Sequence, residues 1–277
     1  MGSIRGAGRD ALGVVRYVWT RPANRSRRLR QLALAGKFQV RGRLGHRTIV
    51  PLGERSRIFA DLDSWVTKKV AYSNPPDWEA MSTWRRELHP GDLFIDVGAN
   101  AGVYAIWAAE CGAEVIAVEP SNDSLPRLRE NIALNGYDIT VLPVALGPTK
   151  GTSPFTVGLD DVNKFAFNVS GPVVVSVETD TLDDVIGART AAGVKIDVEG
   201  AELLVLKGAP VALKEHRIRL LQLEWNDTSV QTLGQDRRPV VELLGASGYQ
   251  LFRPDADGRL VPAIDPAYGS DVFARPL

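Results

Sequence analysis

The chain has 277 residues, of which 44% are hydrophobic and 24% are charged, and its formal net charge is zero. This length and composition are typical of a globular protein with one large α/β domain and an N-terminal extension. The single cysteine excludes an internal disulfide and a cysteine-rich zinc site. No apolar run reaches the ~18 residues of a membrane span, and no secretory signal is visible, so we expect a cytoplasmic protein without a transmembrane segment.

The zero net charge conceals an uneven distribution. Residues 1–47 contain twelve arginines and lysines and one acidic residue, a net charge of +11, and the remaining residues have a net charge of −11. A basic segment of this kind predicts contact with nucleic acid, an anionic membrane or an acidic substrate. It also fits a solvated helical face that packs on the rest of the protein through leucine and valine. The apolar content favours packing, and weak membrane contact stays open as an alternative.

Apolar spacing and turn residues predict a mixed helical and β region before residue 91. We expect helices over residues 10–20, 24–34, 63–72 and 78–88, strands over 48–52 and 57–62, and an extended or turn segment over 36–45. This region forms the extension in front of the α/β domain.

Residues 91–102, Gly-Asp-Leu-Phe-Ile-Asp-Val-Gly-Ala-Asn-Ala-Gly, predict a strand, a glycine turn and the start of a helix. The apolar run 93–97 is typical of a buried parallel strand, and the glycines let the backbone turn tightly and approach a ligand. Free N–H groups at the start of the helix favour a nucleotide-type cofactor. The dinucleotide pattern G-x-G-x-x-G is absent, because Asn100 and Val103 occupy its later glycine positions, so a nicotinamide cofactor is poorly supported.

Strands alternate with helices after this turn, which predicts a doubly wound, mostly parallel sheet with an antiparallel edge. We expect strands over 114–118, 139–145, 194–198 and 219–225, an antiparallel pair over 249–253 and 271–275, and an insertion over 149–187. Glu119 follows the second strand and stands 21 residues after Gly98. Acidic residues at about this distance bind ribose hydroxyls in nucleotide-binding folds, and we assign that role to Glu119.

Several short motifs together carry a resemblance to a known family. They are Asp96-Val-Gly-Ala-Asn-Ala-Gly102, Glu119-Pro120, Leu134-Asn135, Ala145-Leu146-Gly147, Thr181-Leu182-Asp183, Lys195-Ile-Asp-Val-Glu-Gly-Ala-Glu202 and Lys207-Gly208. Over residues 91–225 the chain resembles the FkbM family of S-adenosylmethionine (SAM)-dependent methyltransferases. The block that begins at Lys195 is the most specific part of the match.

The resemblance implies a class I, Rossmann-like methyltransferase domain over 91–277, with residues 1–90 capping the site and helping to form the acceptor pocket. It implies an O-methyltransferase that uses SAM to methylate a hydroxyl of a sugar or of an oligo- or polysaccharide precursor, as in methylated polysaccharide synthesis. Methylation of a macrolide or another small-molecule hydroxyl is the alternative. A nucleic-acid acceptor is disfavoured because the residues after 47 are net acidic, and a homodimer is left open.

The expected SAM contacts lie on the turns that follow the first three strands and on the fourth strand. They are Asp96, Gly98, Ala99, Asn100, Gly102, Val103, Glu119, Pro120, Ser121, Ala145 and Asp197. Many SAM sites place an acidic residue after the third strand to hold the adenine amino group. This chain has none there, so Ala145 is expected to contact the adenine through its backbone and methyl group.

Three acidic residues, Asp197, Glu199 and Glu224, are the catalytic candidates, because they lie at the ends of the fourth and fifth strands, where the carboxyl ends of neighbouring strands meet. A sugar hydroxyl is a weak nucleophile, so a general base is expected, with Asp197 the first candidate and Glu224 the second. Asp197 and Glu224 also fit a Mg²⁺ site that would acidify the hydroxyl, and the sequence does not separate base from metal ligand. Trp225, next to Glu224, is a candidate for stacking on a sugar.

Overall fold

The computed structural model describes residues 3–157, 173–225, 237–263 and 271–277. Residues 158–172 of the predicted insertion, 226–236 after the fifth core strand and 264–270 before the last strand lie outside the described residues. Within the described ranges, none of the helices has the length and apolar content that crossing a membrane requires.

Two helices, a β-hairpin and two further helices precede the main sheet. Their bounds are α1 Ser3–Thr20, α2 Arg28–Arg43, β1 Thr48–Leu52, β2 Ser56–Ala60, α3 Trp65–Tyr72 and α4 Trp78–Glu87, with a 3₁₀ turn at Pro22–Asn24. The expected extended segment over 36–45 is wrong, because α2 continues to Arg43. Gln31, Ala35 and Phe38 recur at helical spacing and are buried. Tertiary packing of this face stabilises the helix through Gly36, which propensity alone disfavours.

The core alternates strands and helices in the expected order. It comprises β3 Leu93–Val97, α5 Val103–Glu110, β4 Glu114–Val118, α6 Leu125–Asn135, β5 Ile139–Leu142, β6 Ala145–Leu146, β7 Gly151–Val157, β8 Val173–Asp180, α7 Leu182–Ile186, β9 Gly193–Ile196, α8 Glu202–Lys207, α9 Pro210–Lys214, β10 Leu221–Leu223, α10 Arg238–Ala246, β11 Tyr249–Pro254, β12 Leu260–Pro262 and β13 Val272–Pro276. Eight strands form the main sheet in the order β12-β11-β13-β10-β9-β3-β4-β5. Within this order, the neighbouring strands β10, β9, β3, β4 and β5 are parallel to one another. This confirms the predicted class I Rossmann-like α/β fold.

The two ends of the sheet differ in detail from the expected strands. β13 is antiparallel to both β10 and β11 and lies between them, and β12 then forms the outer edge. The third core strand, expected over 139–145, divides into two. β5 ends at Leu142, because Pro143 has no N–H to continue the ladder, and β6 joins β7 and β8 in a separate three-stranded sheet.

Both faces of the main sheet are covered by hydrophobic cores. In β3, Phe94 packs into one core while Leu93, Ile95 and Val97 pack into the other, since successive side chains point to opposite faces. The core around Phe94 also contains residues from α2, β1, β2 and α4. The described part of the N-terminal region, from α1 to α4, therefore shares a core with the sheet.

Buried polar side chains fix the N-terminal hairpin to the core helices. Glu110, at the end of α5, accepts three backbone N–H groups of residues 54–56 at 2.7 to 3.0 Å and the guanidinium of Arg85 at 2.6 Å. Although burial opposes ionisation, these donors lower the pKa of Glu110 to about 2. Asn131 of α6 accepts a backbone N–H of β2 at 2.8 Å.

Candidate active site

The turn between β3 and α5 has the backbone that its sequence predicts. Gly98, Asn100 and Gly102 adopt φ angles of 80°, 48° and 85°, in the region that glycine and asparagine tolerate best. A Cβ atom on Gly98 would lie 1.9 Å from the carbonyl oxygen of Asp197. The turn therefore packs directly on the residue that follows β9, and glycine is required for that close approach.

Asp96, near the end of β3, stabilises the start of α5. Its Oδ2 accepts the N–H of Ala105 at 3.0 Å, in the first helical turn, where N–H groups have no intrahelical partner. Burial raises the pKa of Asp96 to about 6, although the ammonium of Lys195 acts to lower it. Asp96 thus anchors the turn, and its direct contact with a cofactor stays a prediction.

Glu119, which follows β4, binds the same turn from the neighbouring strand. Its carboxylate oxygens accept the N–H groups of Asn100 and Ser121, each at 2.8 Å. Burial raises the pKa of Glu119 to about 7, and the two backbone donors offset this only in part. Each carboxylate oxygen has a second lone pair, so the group can accept ribose hydroxyls while it keeps both backbone bonds.

Three polar side chains lie side by side across the middle of the sheet. The strand registers pair Asp96 with Lys195 and Lys195 with Gln222. Lys195 Nζ lies 2.9 Å from Asp197 Oδ2 and 3.8 Å from Asp96 Oδ1. Burial favours a neutral amine, but these two carboxylates raise the pKa of Lys195, and the ammonium persists. A buried positive charge therefore connects the turn with the predicted catalytic acid.

A polar network continues from Gln222 towards the N-terminal helices. The Gln222 amide donates to Asp271 Oδ2 at 2.7 Å and lies 3.4 Å from the hydroxyl of Tyr104. That hydroxyl donates to Asp77 Oδ2 at 3.4 Å, and the Lys195 ammonium lies 4.7 Å from the Tyr104 ring centroid. Burial and the charge of Asp77 raise the pKa of Asp271 to about 7. This network connects β10 and β13 with α5 and the segment before α4.

Asp197, Glu199 and Glu224 come together beyond the ends of β9 and β10, as predicted. Ligand oxygens of the three lie within 4.8 Å of one another. Burial opposes ionisation of Asp197, but the charge of Lys195 outweighs it and lowers the pKa. Burial and the negative charges of Asp197 and Glu199 raise the pKa of Glu224. Glu224 is therefore the protonated member of the pair and Asp197 the ionised one.

The loop after β9 is held by a second buried ion pair. Glu202 accepts the N–H of Gly200 at 3.0 Å and pairs with Arg237 at 3.3 Å, while Glu199 adopts a positive φ of 52°.

The expectation that Trp225 stacks on a sugar is wrong. Its ring is only 1% exposed, and the Arg237 guanidinium lies 4.8 Å from the ring centroid.

Ala145 stands apart from the other predicted cofactor residues. Its backbone pairs with Thr179 in the small sheet, and its side chain is buried against Phe155 and Val177. An adenine contact by Ala145 stays a prediction. The remaining residues of the predicted set lie near the end of β3, on the turns after β3 and β4, at the start of α5 and directly after β9.

The sequence prediction missed Lys195, Gln222, Asp77 and Asp271. A signal for the first two was present, because Lys195 and Gln222 each stand two residues before a predicted acid and therefore share its face of the strand. A lysine or glutamine within an otherwise apolar buried strand is also uncommon. Asp77 and Asp271 reach the site only through tertiary structure, and no local pattern indicates them.

A cavity of about 410 Å³ lies elsewhere, between α4, α5 and the β1–β2 turn. None of the predicted site residues lines it. Its wall includes Trp107, whose ring is covered by the Arg85 guanidinium at 4.2 Å. This cavity does not define the site of chemistry.

The model of the methyltransferase FkbM domain matches residues 96–251, more than half of the chain. The chain belongs to the FkbM methyltransferase family. It is 28% identical over 207 residues to the hexuronic acid methyltransferase AglP of Haloferax volcanii, which covers 69% of this chain and 80% of AglP. It is 27% identical over 212 residues to the methyltransferase sdnD of Sordaria araneosa, which covers 61% of this chain and 78% of sdnD. The family match confirms the resemblance seen in the motifs, and the protein is a methyltransferase.

Solved methyltransferase structures are also similar, at lower identity. A 16S rRNA methyltransferase of T. thermophilus, RsmC, in complex with AdoMet and guanosine matches with a TM-score of 0.47 and 15% identity, over 84% of this chain and 50% of RsmC. A TehB-like SAM-dependent methyltransferase of Corynebacterium glutamicum matches with a TM-score of 0.42 and 10% identity, over 71% of this chain and 85% of that protein. The family assignment rests on the domain match alone.

Proposed function

We propose that this FkbM-family protein transfers the methyl group of SAM to a hydroxyl oxygen of a sugar or of an oligo- or polysaccharide precursor. The observation that carries the proposal is the convergence of two sets of residues at the carboxyl ends of the parallel strands. One set is the glycine turn with Glu119, and the other is the trio of Asp197, Glu199 and Glu224. Ligands bind at this edge in open α/β sheets. The relative named as a hexuronic acid methyltransferase supports a sugar acceptor.

The turn after β3 fits SAM in both shape and chemistry. Gly98 leaves open the space that a Cβ would fill, and the turn leads into the N-terminus of α5. Glu119 would bind the ribose hydroxyls, with Pro120 and Ser121 beside it. Bound SAM supplies a methyl group activated by its positively charged sulfur. The residues of the chain must then position the acceptor oxygen and remove its proton.

Asp197 is the general base in this proposal. It is ionised because Lys195 binds one of its oxygens, and its side chain is 36% exposed, so an acceptor hydroxyl can reach it. Asp197 takes the hydroxyl proton as the acceptor oxygen becomes nucleophilic. Glu224, which holds its own proton, orients Asp197 as a positioning residue. A general base of this kind typically accelerates the reaction by about 10²–10⁴-fold.

Binding of Mg²⁺ is the alternative role for the same carboxylates. Three converging carboxylates form the oxygen-only ligand set that Mg²⁺ prefers. Asp197, Glu199 and Glu224 would hold the ion once Glu224 loses its proton, and the ion would then acidify the hydroxyl. Dialysis against EDTA separates the two roles, because a metal-assisted enzyme loses activity and regains it with added Mg²⁺.

The N-terminal residues form one wall of the acceptor site in this proposal. Asp77 contacts Tyr104 next to the Lys195 ammonium. The charges of Asp77, Asp197 and Asp271 all act on the ammonium of Lys69 in α3, and they raise its pKa although burial opposes this. Residues 1–90 therefore supply both a carboxylate and an ammonium for hydrogen bonds to sugar hydroxyls.

Two measurements test the proposal. Isothermal titration calorimetry with S-adenosylhomocysteine (SAH) tests the cofactor assignment, and a protein that does not bind SAH would overturn the proposal. Methyl transfer from labelled SAM is then measured with uronic acids, neutral oligosaccharides and a macrolide. Asp197→Asn should reduce turnover by about 10²–10⁴ while SAH binding is retained, and the exposed Asp138→Asn is the matched control. A wild-type rate for Asp197→Asn would exclude the base assignment, and transfer to the macrolide alone would exclude the carbohydrate.

A further inference from the structure

The outer sides of α1 and α2 carry a surface that the methyltransferase site does not use. Among the described residues, twelve large hydrophobic side chains are exposed, and half of them lie on these two helices or directly after α2. They are Leu12, Val15 and Trp19 on α1, Leu29 and Val40 on α2 and Leu44 at the C-cap of α2, with exposed fractions from 46% to 77%. Single exposed hydrophobic residues are normal on protein surfaces, but a concentration of this kind marks an interaction site.

The exposed residues form a stripe along each helix. Positions 12, 15 and 19 of α1 are separated by three and four residues, and so share one face. In α2 and at its C-cap, Leu29, Val40 and Leu44 lie at near-helical spacing, with Ala33 and Gly36 exposed between them. We call this combined surface the outer helical face.

Basic side chains, and no acidic ones, accompany the two stripes. Residues 11–47 contain ten arginines and lysines and no aspartate or glutamate. Arg30 and Lys37 are exposed on α2, and the guanidinium of Arg28 lies 5.0 Å from the Trp19 ring centroid. The outer helical face is therefore both apolar and uniformly positive.

The inner sides of the two helices are anchored, so the stripes cannot turn inward. Val18 and Phe38 are buried in the hydrophobic core. The buried amides of Asn24 and Gln31 donate to the backbone carbonyls of Tyr72 and Ala71, each at 2.8 Å. Rotation of α2 would leave the Gln31 amide unpaired, and rotation of α1 would break the bond that the Asn24 amide, in the 3₁₀ turn, donates to the Val18 carbonyl at 2.9 Å.

We propose that the outer helical face docks on a membrane surface that contains anionic lipids. Apolar stripes flanked by arginine and lysine are typical of helices that lie in the headgroup region, and each basic residue near such a surface adds attraction. A nucleic acid would match the charge but leave the leucines in water. A second copy of the chain would bring two strongly positive surfaces together.

Docking would place the acceptor wall close to the lipid surface. Tyr17, on the inner side of α1, packs edge-on against Tyr72, with 6.0 Å between the ring centroids, and Tyr72 ends α3, the helix that carries Lys69. The outer helical face therefore belongs to the same helical layer as the residues assigned to the acceptor. Docking itself does not depend on the identity of that acceptor.

Cosedimentation of the full chain with vesicles tests the proposal. The protein should sediment with phosphatidylcholine–phosphatidylglycerol vesicles at low salt, sediment poorly with phosphatidylcholine alone, and be released by added sodium chloride. Arg30→Ser with Lys37→Ser should lower the partition coefficient about thirty-fold. Leu29→Ser with Val40→Ser should lower it at least about ten-fold.

The matched control is Arg253→Ser with Val241→Ser, an exposed basic and an exposed apolar residue outside α1 and α2. It should bind vesicles like the wild type, and all variants should keep the wild-type melting temperature. Absence of vesicle binding at low salt, or equal binding to both vesicle types, would overturn the proposal. Concentration-dependent dimers that the Leu29 and Val40 substitutions abolish, without vesicle binding, would assign the face to a second copy.

Discussion

The variant Glu119→Gln tests the cofactor half of the site. Burial raises the pKa of the Glu119 carboxyl to about 7, and in the proposed site the ribose hydroxyls would donate to its ionised form. Binding of SAH should therefore favour ionisation and release a proton. About one tenth of the carboxyl is ionised at pH 6 and about nine tenths at pH 8, so the affinity for SAH should rise about tenfold between these values.

The glutamine side chain presents an NH₂ group to one of the two backbone N–H groups that the carboxylate accepts at 2.8 Å. It also removes the charge that strengthens bonds to the ribose, so we expect the affinity to fall by roughly 10- to 100-fold at pH 8. Titration calorimetry at pH 6, 7 and 8, in two buffers of different ionisation enthalpy, measures both effects. At pH 7 the wild type should release about half a proton per SAH bound.

Glu130→Gln, an exposed glutamate of α6, is the matched control and should reproduce the wild-type affinity and pH profile. An SAH affinity that is equal at pH 6 and pH 8, without proton release, would refute the assignment of Glu119 to the ribose. So would a Glu119→Gln variant that binds SAH as tightly as the wild type.

Two further variants test buried charged residues that stabilise the fold, Glu110 beside the N-terminal hairpin and Lys195 in the site. Glu110→Gln should lower the free energy of unfolding by about 3 kcal/mol at pH 7, because the folded-state pKa is lowered from 4.5 to about 2. This stabilisation is present above pH 4.5 and is lost as the pH falls towards 2, so urea unfolding of variant and wild type should converge there; equal stability at pH 7 would show that the hydrogen-bond donors around Glu110 do not stabilise its ionised form. Lys195→Met should leave the carboxylates of Asp96 and Asp197 without their cation and cost about 3–5 kcal/mol. Urea unfolding of Lys195→Met and its methyl-transfer rate provide the check, and unchanged stability would show that the ammonium is not needed.

The sequence predicted the parts of the fold whose signals are local. The apolar run 93–97 and the glycines after it correctly located the first strand and its turn. The acids Asp197 and Glu224 follow buried strands, and their meeting at one edge follows from parallel pairing alone. Both signals are local, because each depends only on the residues of one strand and of the turn that follows it.

The features that depend on distant contacts were not predictable in the same way. Gly36 indicated the end of a helix, yet the buried face of α2 carries the helix past it. Asp271, the partner of Gln222, directly precedes the last strand, and Asp77, the partner of Tyr104, comes from the N-terminal extension, so their approach depends on the packing of distant parts of the chain. Pro143 was the one local signal for the divided third strand, and its missing N–H should have ended that strand at Leu142.

The close contact at Gly98 has a consequence for the timing of the reaction. The space between the turn that would bind the methyl donor and the carbonyl of Asp197, the proposed base, is too small for one methyl group. A donor that shifts the turn therefore shifts Asp197 with it, and displacements of about 1 Å are enough to change a rate by about 10²-fold. In the proposed mechanism, loading of the donor and alignment of Asp197 are therefore coupled directly through this contact.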